Sequence, residues 1–115
     1  MENVFEQISE IIRVELLKRG FIVDVTCTQT KGNSFKVKTS SFQTTPVLFK
    51  EVWIESWNVF VEDKENDKGI KYTDYNISIH VCYEHFDGGR NGCSLFSIIL
   101  RSFENWNRVR ILSIY

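Results

Sequence analysis

The stretch that decides the fold is residues 75–84, which read Tyr75-Asn76-Ile77-Ser78-Ile79-His80-Val81-Cys82-Tyr83-Glu84. Apolar or aromatic side chains occupy every second position, and the positions between them are polar or hold Cys82. Because successive side chains of a strand point to opposite faces of its sheet, this alternation predicts a strand with one buried and one polar face. Sheets of this kind are typically antiparallel, so the neighbouring segments should supply strands joined by short turns.

Two alternating segments nearer the N-terminus predict a β-hairpin. Residues 21–30 alternate apolar and polar side chains from Phe21 onward, and residues 35–40 do the same from Phe35. Between them, Lys31-Gly32-Asn33-Ser34 has the composition of a turn. Residues 43–49, which include Pro46, are expected to connect this hairpin to the next strand.

A third strand is predicted for residues 50–62, although its apolar side chains occupy both parities. One parity holds Trp53, Trp57, Val59 and Val61, and the other holds Val52, Ile54 and Phe60. Apolar side chains on both faces indicate either a central strand or a bulge. The charged run of residues 63–69 then predicts a hairpin loop.

The C-terminal part of the chain contains one ambiguous segment. In residues 94–103 a helix would align Phe96, Ile99, Leu100 and Phe103, whereas a strand would align Phe96, Ile98 and Leu100. The β-branched residues and the turn-like residues 104–107 favour a strand. A last strand that contains Val109, Ile111 and Leu112 is predicted to run to the C-terminus, and the glycine-rich residues 87–92 predict a loop.

Residues 3–19 predict a helix. An apolar face recurs at helical spacing, Asn3 is a suitable N-cap residue, and Gly20 is placed to end the helix. Glu15 interrupts the apolar face. Because the length is ordinary, we interpret this segment as a core helix and not as a membrane or partner helix.

Together these segments predict an α+β fold, with the N-terminal helix packed on a curled, mostly antiparallel β-meander of about six strands. Residues 1–115 are expected to form a single domain. One helix cannot cover both faces of a six-stranded sheet, and Trp53 and Trp57 need cover. The sheet is therefore expected either to curl around the helix or to meet a partner on its second face.

The composition limits the function classes. The formal net charge is −1, which lacks the basic excess typical of nucleic-acid-binding proteins. The N-terminus lacks the basic region of a secretory signal, and no apolar stretch approaches the length of a membrane span. With the odd count of Cys27, Cys82 and Cys93, these features predict a reduced, cytoplasmic protein with buried thiols.

The densest group of reactive residues is His80, Cys82, His85, Asp87 and Cys93. His80 and Cys82 lie on one face of the predicted strand, so His80, Cys82, His85 and Cys93 are candidate zinc ligands, although their spacing matches no standard zinc motif. A Cys–His nucleophile pair uses the same residue types, but no catalytic signature is present. We therefore expect neither a catalytic site nor a cofactor, and the metal ligands remain weak candidates.

Two predicted loops can also be interpreted as binding sites, one for a phosphate and one for a calcium ion. Residues 87–92 could expose backbone N–H groups to a phosphate, with His85, Asp87, Arg90 and Asn91 nearby, but the fixed glycine spacing of phosphate loops is missing. Asp63, Glu65, Asp67 and Asp74 imitate part of a calcium loop, but Lys68 occupies the glycine position. A connecting loop and a solvated hairpin tip explain the same residues.

Basic residues occur in the first hairpin and near the C-terminus. They are Lys31, Lys36, Lys38, Arg101, Arg108 and Arg110. If the outer strands are neighbours, these residues form a basic patch, and Trp106 could stack on a base. Nucleic acid is a less favoured partner than protein, because cross-strand ion pairing explains the same charges.

The sequence therefore predicts a small, non-enzymatic binding protein that acts through protein–protein contact, of the type of a phage or mobile-element inhibitor. A homodimer formed through an uncovered sheet face is a second form of this hypothesis. The candidate binding residues are Trp53, Trp57, Lys36, Lys38, His85, Asp87, Arg90, Asn91, Arg108 and Arg110. The alternatives are a nucleotide- or phosphate-binding domain that uses residues 87–92, and a zinc-binding protein.

Overall fold

The computed structural model describes residues 3–44, 49–85, 91–104 and 108–115. One helix precedes six strands: α1 (Val4–Lys18), β1 (Phe21–Gln29), β2 (Phe35–Thr44), β3 (Phe49–Glu65), β4 (Lys71–His85), β5 (Asn91–Phe103) and β6 (Arg110–Ile114). All described pairings are antiparallel. The predicted α+β class, with a helix and a six-stranded meander, is confirmed, and residues 94–103 form a strand.

The six strands belong to two sheets. β1 pairs with β2, and the other four strands pair in the order β3-β4-β5-β6. The buried core contains Ile8, Ile12 and Leu16 of α1 and alternate residues of β1, β4 and β5. The helix and the small sheet thus cover one face of the larger sheet. In the described part of the chain no other helix or strand packs on its second face, which we call the outer face.

Both ends of α1 follow the sequence signals. The Asn3 side chain accepts a hydrogen bond from the Glu6 backbone N–H at 2.8 Å, which satisfies a donor that the first turn leaves free. Gly20 has φ of 91°, a conformation that side chains disfavour, so glycine suits the helix end.

Glu15, which interrupts the apolar face of α1, is only 6% exposed. Its carboxylate pairs with Lys18 at 3.1 Å and with Arg19 at 2.7 Å. Burial opposes ionisation, but the hydrogen bonds and charges of Lys18 and Arg19 outweigh it and lower the pKa of Glu15. Arg19 also lies 4.0 Å above the ring of Phe96, so this ion pair connects α1 to β5.

Ser9 connects α1 to β1. Its buried hydroxyl donates to the Phe5 carbonyl oxygen at 2.8 Å and accepts the backbone N–H of Cys27 at 2.8 Å. Replacing Ser9 with alanine would leave a buried N–H without this acceptor, so we expect a loss of about 1 kcal/mol in the free energy of unfolding. Urea denaturation measures the loss, with Ser40→Ala, an exposed serine of β2, as the control. Equal stability of Ser9→Ala and wild type would contradict this role of the hydroxyl.

Apolar side chains occupy both parities of β3 because the strand contains a bulge, which was the second of the two predicted explanations. The register with β4 shifts between Ile54 and Ser56, so Trp53 pairs with Cys82 and Trp57 pairs with Ile79. Trp57 packs against the core, whereas Trp53 lies on the outer face and donates to Glu55 at 2.8 Å. The two tryptophans, which share a parity in the sequence, therefore lie on opposite faces, and β3 is a terminal strand of its sheet, not a central one.

The charged loop after β3 is shorter than predicted. β3 continues to Glu65, and Asn66 organises the turn by accepting the N–H groups of Lys68 and Ile70, each at 3.0 Å. Asp63 lies within the strand and accepts hydrogen bonds from Asn33 and Thr73, at 2.8 and 2.9 Å. The calcium-like spacing therefore does not correspond to a loop that could surround an ion.

Candidate protein-binding edge

The outer face of the four-stranded sheet carries three strongly exposed apolar side chains on three different strands. They are Phe60 of β3 (58% exposed), Leu95 of β5 (70%) and Tyr115 beside β6 (69%). Between them the face is polar, with a hydrogen bond of 3.0 Å between the hydroxyls of Ser78 and Ser97. Because polar side chains separate them, these three residues form no continuous apolar patch, and the backbone of the sheet edge is the more specific feature.

β5 has an edge that β6 covers only in part. The described pairs between the two strands run from Ile98 to Arg101. One further pair exchanges both backbone hydrogen bonds, from Ser97 N–H to Tyr115 O at 2.7 Å and from Tyr115 N–H to Ser97 O at 3.0 Å. In the part of the chain that the structure describes, residues 92–96 have no strand on this side, and we call them the open edge.

The direction of the backbone groups at the open edge follows from strand geometry. The backbone groups of Ser97 point to β6, and in an antiparallel strand the residues that point to one side recur every second position. The N–H and C=O groups of Cys93 and Leu95 therefore point away from β4, towards the open edge. Four backbone groups are available to a further strand, and the Cys93 and Leu95 side chains lie on the outer face beside them.

The terminal strands of the four-stranded sheet, β3 and β6, have features that discourage strand addition. β3 contains seven charged residues and two register shifts, and β6 has a register shift opposite Ile99 and Leu100. Charges and bulges of this kind keep a terminal strand from pairing with another chain. Residues 91–100 contain neither a charged residue nor a proline, so the open edge lacks both protections.

The predicted cysteine and histidine group comes together next to this edge. Cys82 and Cys93 are directly opposed in β4 and β5, with 4.1 Å between their Cα atoms, and form a disulfide. The Nε2 atom of His80 lies 3.7 Å from the Cys82 sulfur. We call His80, Cys82 and Cys93 the cysteine cluster. The side chain of His85, the fourth candidate ligand, lies outside the described residues.

The state of the thiols differs from the sequence prediction of a reduced protein with buried thiols. Cys93 is exposed and bonded to Cys82, so only Cys27 is a free, buried thiol. Burial raises the pKa of the Cys27 thiol, although the Ser9 contact opposes this shift, and a neutral buried thiol is a poor nucleophile. Cys27 thus belongs to the core and not to a reactive site.

The predicted basic patch requires neighbouring outer strands, and the structure does not provide them. Lys36 and Lys38 lie on β2, which pairs with β1, whereas Arg110 lies on β6 in the other sheet. Arg101 donates to both carboxylate oxygens of Asp74, at 2.7 and 3.0 Å, which lowers the pKa of Asp74. The combined patch of the hairpin lysines and the C-terminal arginines is therefore wrong.

The phosphate hypothesis concerns residues that the structure leaves undescribed. Asp87 and Arg90 lie outside the described residues, as does Trp106, and of His85 and Asn91 only the backbone is described. Binding of a phosphate by residues 87–92 stays a prediction.

A cleft of about 860 Å³ lies near the N-terminus of α1, lined by Phe5, Asn33, Asp63, Tyr72 and Thr73 among others. Its polar side chains bind one another, since Asn33 donates to both Asp63 and Thr73. Hydrogen bonds donated to Asp63 by Asn33 and by Thr73 lower the pKa of Asp63. Burial and the Asp63 charge raise the pKa of Tyr75 to about 12. No cysteine or histidine is among the described residues that line the cleft, so it offers no thiol or imidazole for catalysis.

No family model, curated protein or solved structure matches this chain. Among the described residues there is no helix with the length and apolar character needed to cross a bilayer.

Sequence reasoning missed Leu95, Tyr115 and the open edge. One signal was available, because residues 91–100 form an uncharged segment of strand character. An uncharged strand is typical of the middle of a sheet. Its edge is exposed only where the neighbouring strand is shorter than the strand itself. Trp53, by contrast, was a candidate binding residue, and it lies on the outer face opposite Cys82.

Proposed function

We propose that this chain is a non-enzymatic binding module that holds an extended segment of a partner protein as an added strand along residues 92–96 of β5. The observation that supports this proposal is the open edge itself, where the backbone N–H and C=O groups of Cys93 and Leu95 have no strand partner among the described residues. Addition of a strand to a sheet edge is a recurrent way to bind a peptide, in which backbone hydrogen bonds supply affinity.

The side chains around the edge would supply specificity. In an added strand, alternate side chains point to the outer face, beside the exposed Leu95 and in line with Tyr115 of the neighbouring strand. The open edge itself contributes no charge to the contact, since residues 91–100 contain no charged residue. We therefore expect the bound segment to be extended, low in charge, and apolar at every second position.

The free protein provides the first test. Backbone amides of Ser94 and Phe96 point to β4 and should be protected from hydrogen exchange, whereas those of Cys93 and Leu95 should exchange at nearly unprotected rates. NMR exchange measured at two protein concentrations separates the outcomes. Protection of Cys93 and Leu95 that is independent of concentration would mean that the chain covers its own edge. Protection that rises with concentration would mean that a second copy is the occupant, and either outcome would overturn the proposal.

The second test uses peptides. A displayed library of random ten-residue peptides is selected on the wild-type protein, and the affinity of the selected peptides is measured by calorimetry. Leu95→Pro removes a backbone N–H that points to the open edge and has no hydrogen-bond partner among the described residues of the sheet. The fold should therefore persist, while peptide affinity falls at least about tenfold.

Two controls accompany this variant. Leu95→Ala keeps the backbone donor and should retain more of the peptide affinity than Leu95→Pro does. Thermal unfolding of both variants shows whether the sheet is intact. Selected peptides that bind Leu95→Pro as tightly as wild type, or that leave the Cys93 and Leu95 amides unprotected, would show that the open edge is not the binding site.

A further inference from the structure

The cysteine cluster has a geometry that suits a metal ion as well as a disulfide. The ligand atoms of His80, Cys82 and Cys93 all lie within 4.8 Å of one another. Zinc takes sulfur at about 2.3 Å and imidazole nitrogen at about 2.0 Å in a tetrahedron, which places its ligand atoms roughly 3.5 to 3.8 Å apart. The separation of His80 Nε2 and Cys82 Sγ, 3.7 Å, already falls in that range.

The strands hold the three side chains in place before any ion binds. His80 and Cys82 are two residues apart in β4 and therefore share the outer face, and Cys93 is the direct partner of Cys82 in β5. The backbone groups of Cys93 point away from β4, so Cys82 and Cys93 form the close, non-hydrogen-bonded type of cross-strand pair. A small side-chain movement thus separates the sulfurs enough to admit an ion.

We propose that the cysteine cluster binds one Zn²⁺ ion when Cys82 and Cys93 are reduced, and that oxidation to the disulfide releases the ion. The two thiolates and the His80 imidazole fill three tetrahedral positions, and water fills the fourth. A mixed thiolate and imidazole donor set in this geometry is typical of zinc among the common divalent metals. The site is independent of the peptide-binding proposal, because its ligands are side chains and not the backbone groups of the open edge.

The oxidation step balances with a small-molecule disulfide such as oxidised glutathione as the oxidant. The zinc-bound thiolates of Cys82 and Cys93 give up two electrons and form the S–S bond, and Zn²⁺ leaves. Oxidised glutathione accepts the two electrons, its S–S bond breaks, and two protons taken up from the solvent convert it into two molecules of glutathione. The metal ion and the disulfide exclude each other, because each cysteine sulfur uses the same electron pair either to bind the ion or to form the S–S bond.

The test starts from protein that is reduced with a phosphine, freed of metal with a chelator and transferred to buffer without oxygen. Calorimetric titration with Zn²⁺ is expected to give one ion per chain, and Co²⁺ in its place should give the intense absorption of tetrahedral thiolate coordination. Addition of oxidised glutathione should release one equivalent of Zn²⁺ to a chromogenic chelator. Reduced wild type that binds no stoichiometric Zn²⁺ would overturn the proposal.

Variants assign the ligands. Cys93→Ser, at an exposed position where folding should be unaffected, is expected to weaken Zn²⁺ binding at least about 100-fold, and so is His80→Ala, because loss of a direct ligand should cost more than the about 10- to 100-fold lost with an outer-shell partner. Cys27→Ser is the matched control, because Cys27 lies in the core away from the cluster, and its stoichiometry should stay at one. Circular dichroism of each variant confirms the fold. Wild-type affinity in Cys93→Ser, or loss of the site in a folded Cys27→Ser variant, would contradict the assignment.

Discussion

Replacing Ile98 with alanine is expected to lower the free energy of unfolding by about 3 kcal/mol, one of the two largest effects of any single substitution considered. Ile98 is fully buried, and it lies between Ile77 of β4 and Ile114 of β6. Truncation removes apolar surface from the core and leaves a cavity that rigid neighbouring strands cannot close. Urea denaturation followed by circular dichroism measures the loss.

The adjacent residue supplies the control. Ile99 has the same side chain but pairs with Asn76 and Ser113 on the outer face, where it is only partly buried. We expect Ile99→Ala to cost less than about 1 kcal/mol. If this segment were a helix, Ile99 would be buried with Phe96 and Phe103, and Ile99→Ala would then cost more stability than Ile98→Ala. Equal costs, or a larger cost for Ile99, would therefore contradict the strand and its register.

The parts of the fold that the sequence predicted are those specified by local patterns. The alternation from Tyr75 to Tyr83 needs no distant residue to indicate a strand, and the structure buries Tyr75, Ile77, Ile79 and Val81 as that pattern requires. The start and end of α1 are equally local, because Asn3 and Gly20 act within one turn of the helix. His80, Cys82 and Cys93 were recognised as a group because two of them share a strand face.

The parts that the sequence did not predict depend on how the strands pair. The bulge at Glu55 reverses the side on which residues 51–54 of β3 point, and nothing in the residue types around it marks where the extra residue lies. The basic patch was wrong for a similar reason, since pairing of β2 with β1 separates Lys36 and Lys38 from the C-terminal arginines. The division into two sheets is likewise a matter of long-range packing.

The open edge and the cysteine cluster both involve the N-terminal part of β5, and the open edge results from the length difference between β5 and β6. β6 has five residues and β5 has thirteen, so the N-terminal part of β5 continues beyond its neighbour. In the same part of β5, Cys93 lies opposite Cys82. The disulfide between these two residues links β5 covalently to β4, at a position where β6 does not pair with β5. The cysteine cluster and the open edge thus share this part of β5 but use different groups, side chains for a metal ion and backbone groups for an added strand.

Gly92, at the start of the open edge, is where the second large effect is expected. It pairs with Tyr83 on the core face, and a Cβ atom at this position would lie 2.6 Å from the Tyr83 Cζ atom and 2.7 Å from its Oη atom. The ring of Tyr83 packs in turn on Phe49 and Phe21, with ring centroids 4.3 and 6.3 Å away. A larger side chain at residue 92 must therefore displace a ring that the core holds in place.

We expect Gly92→Val to lower the free energy of unfolding by about 3 kcal/mol, because the added atoms force the Tyr83 ring out of its packed position. A double-mutant cycle distinguishes this clash from any cost of valine at residue 92 that does not involve the Tyr83 ring. In the Tyr83→Ala background the ring is absent, so Gly92→Val should cost at least about 1 kcal/mol less than it does in wild type. Chemical denaturation of the four proteins gives the coupling energy. Additive costs would show that the Tyr83 ring does not rest on Gly92, and the side-chain arrangement at the start of the open edge would then be wrong.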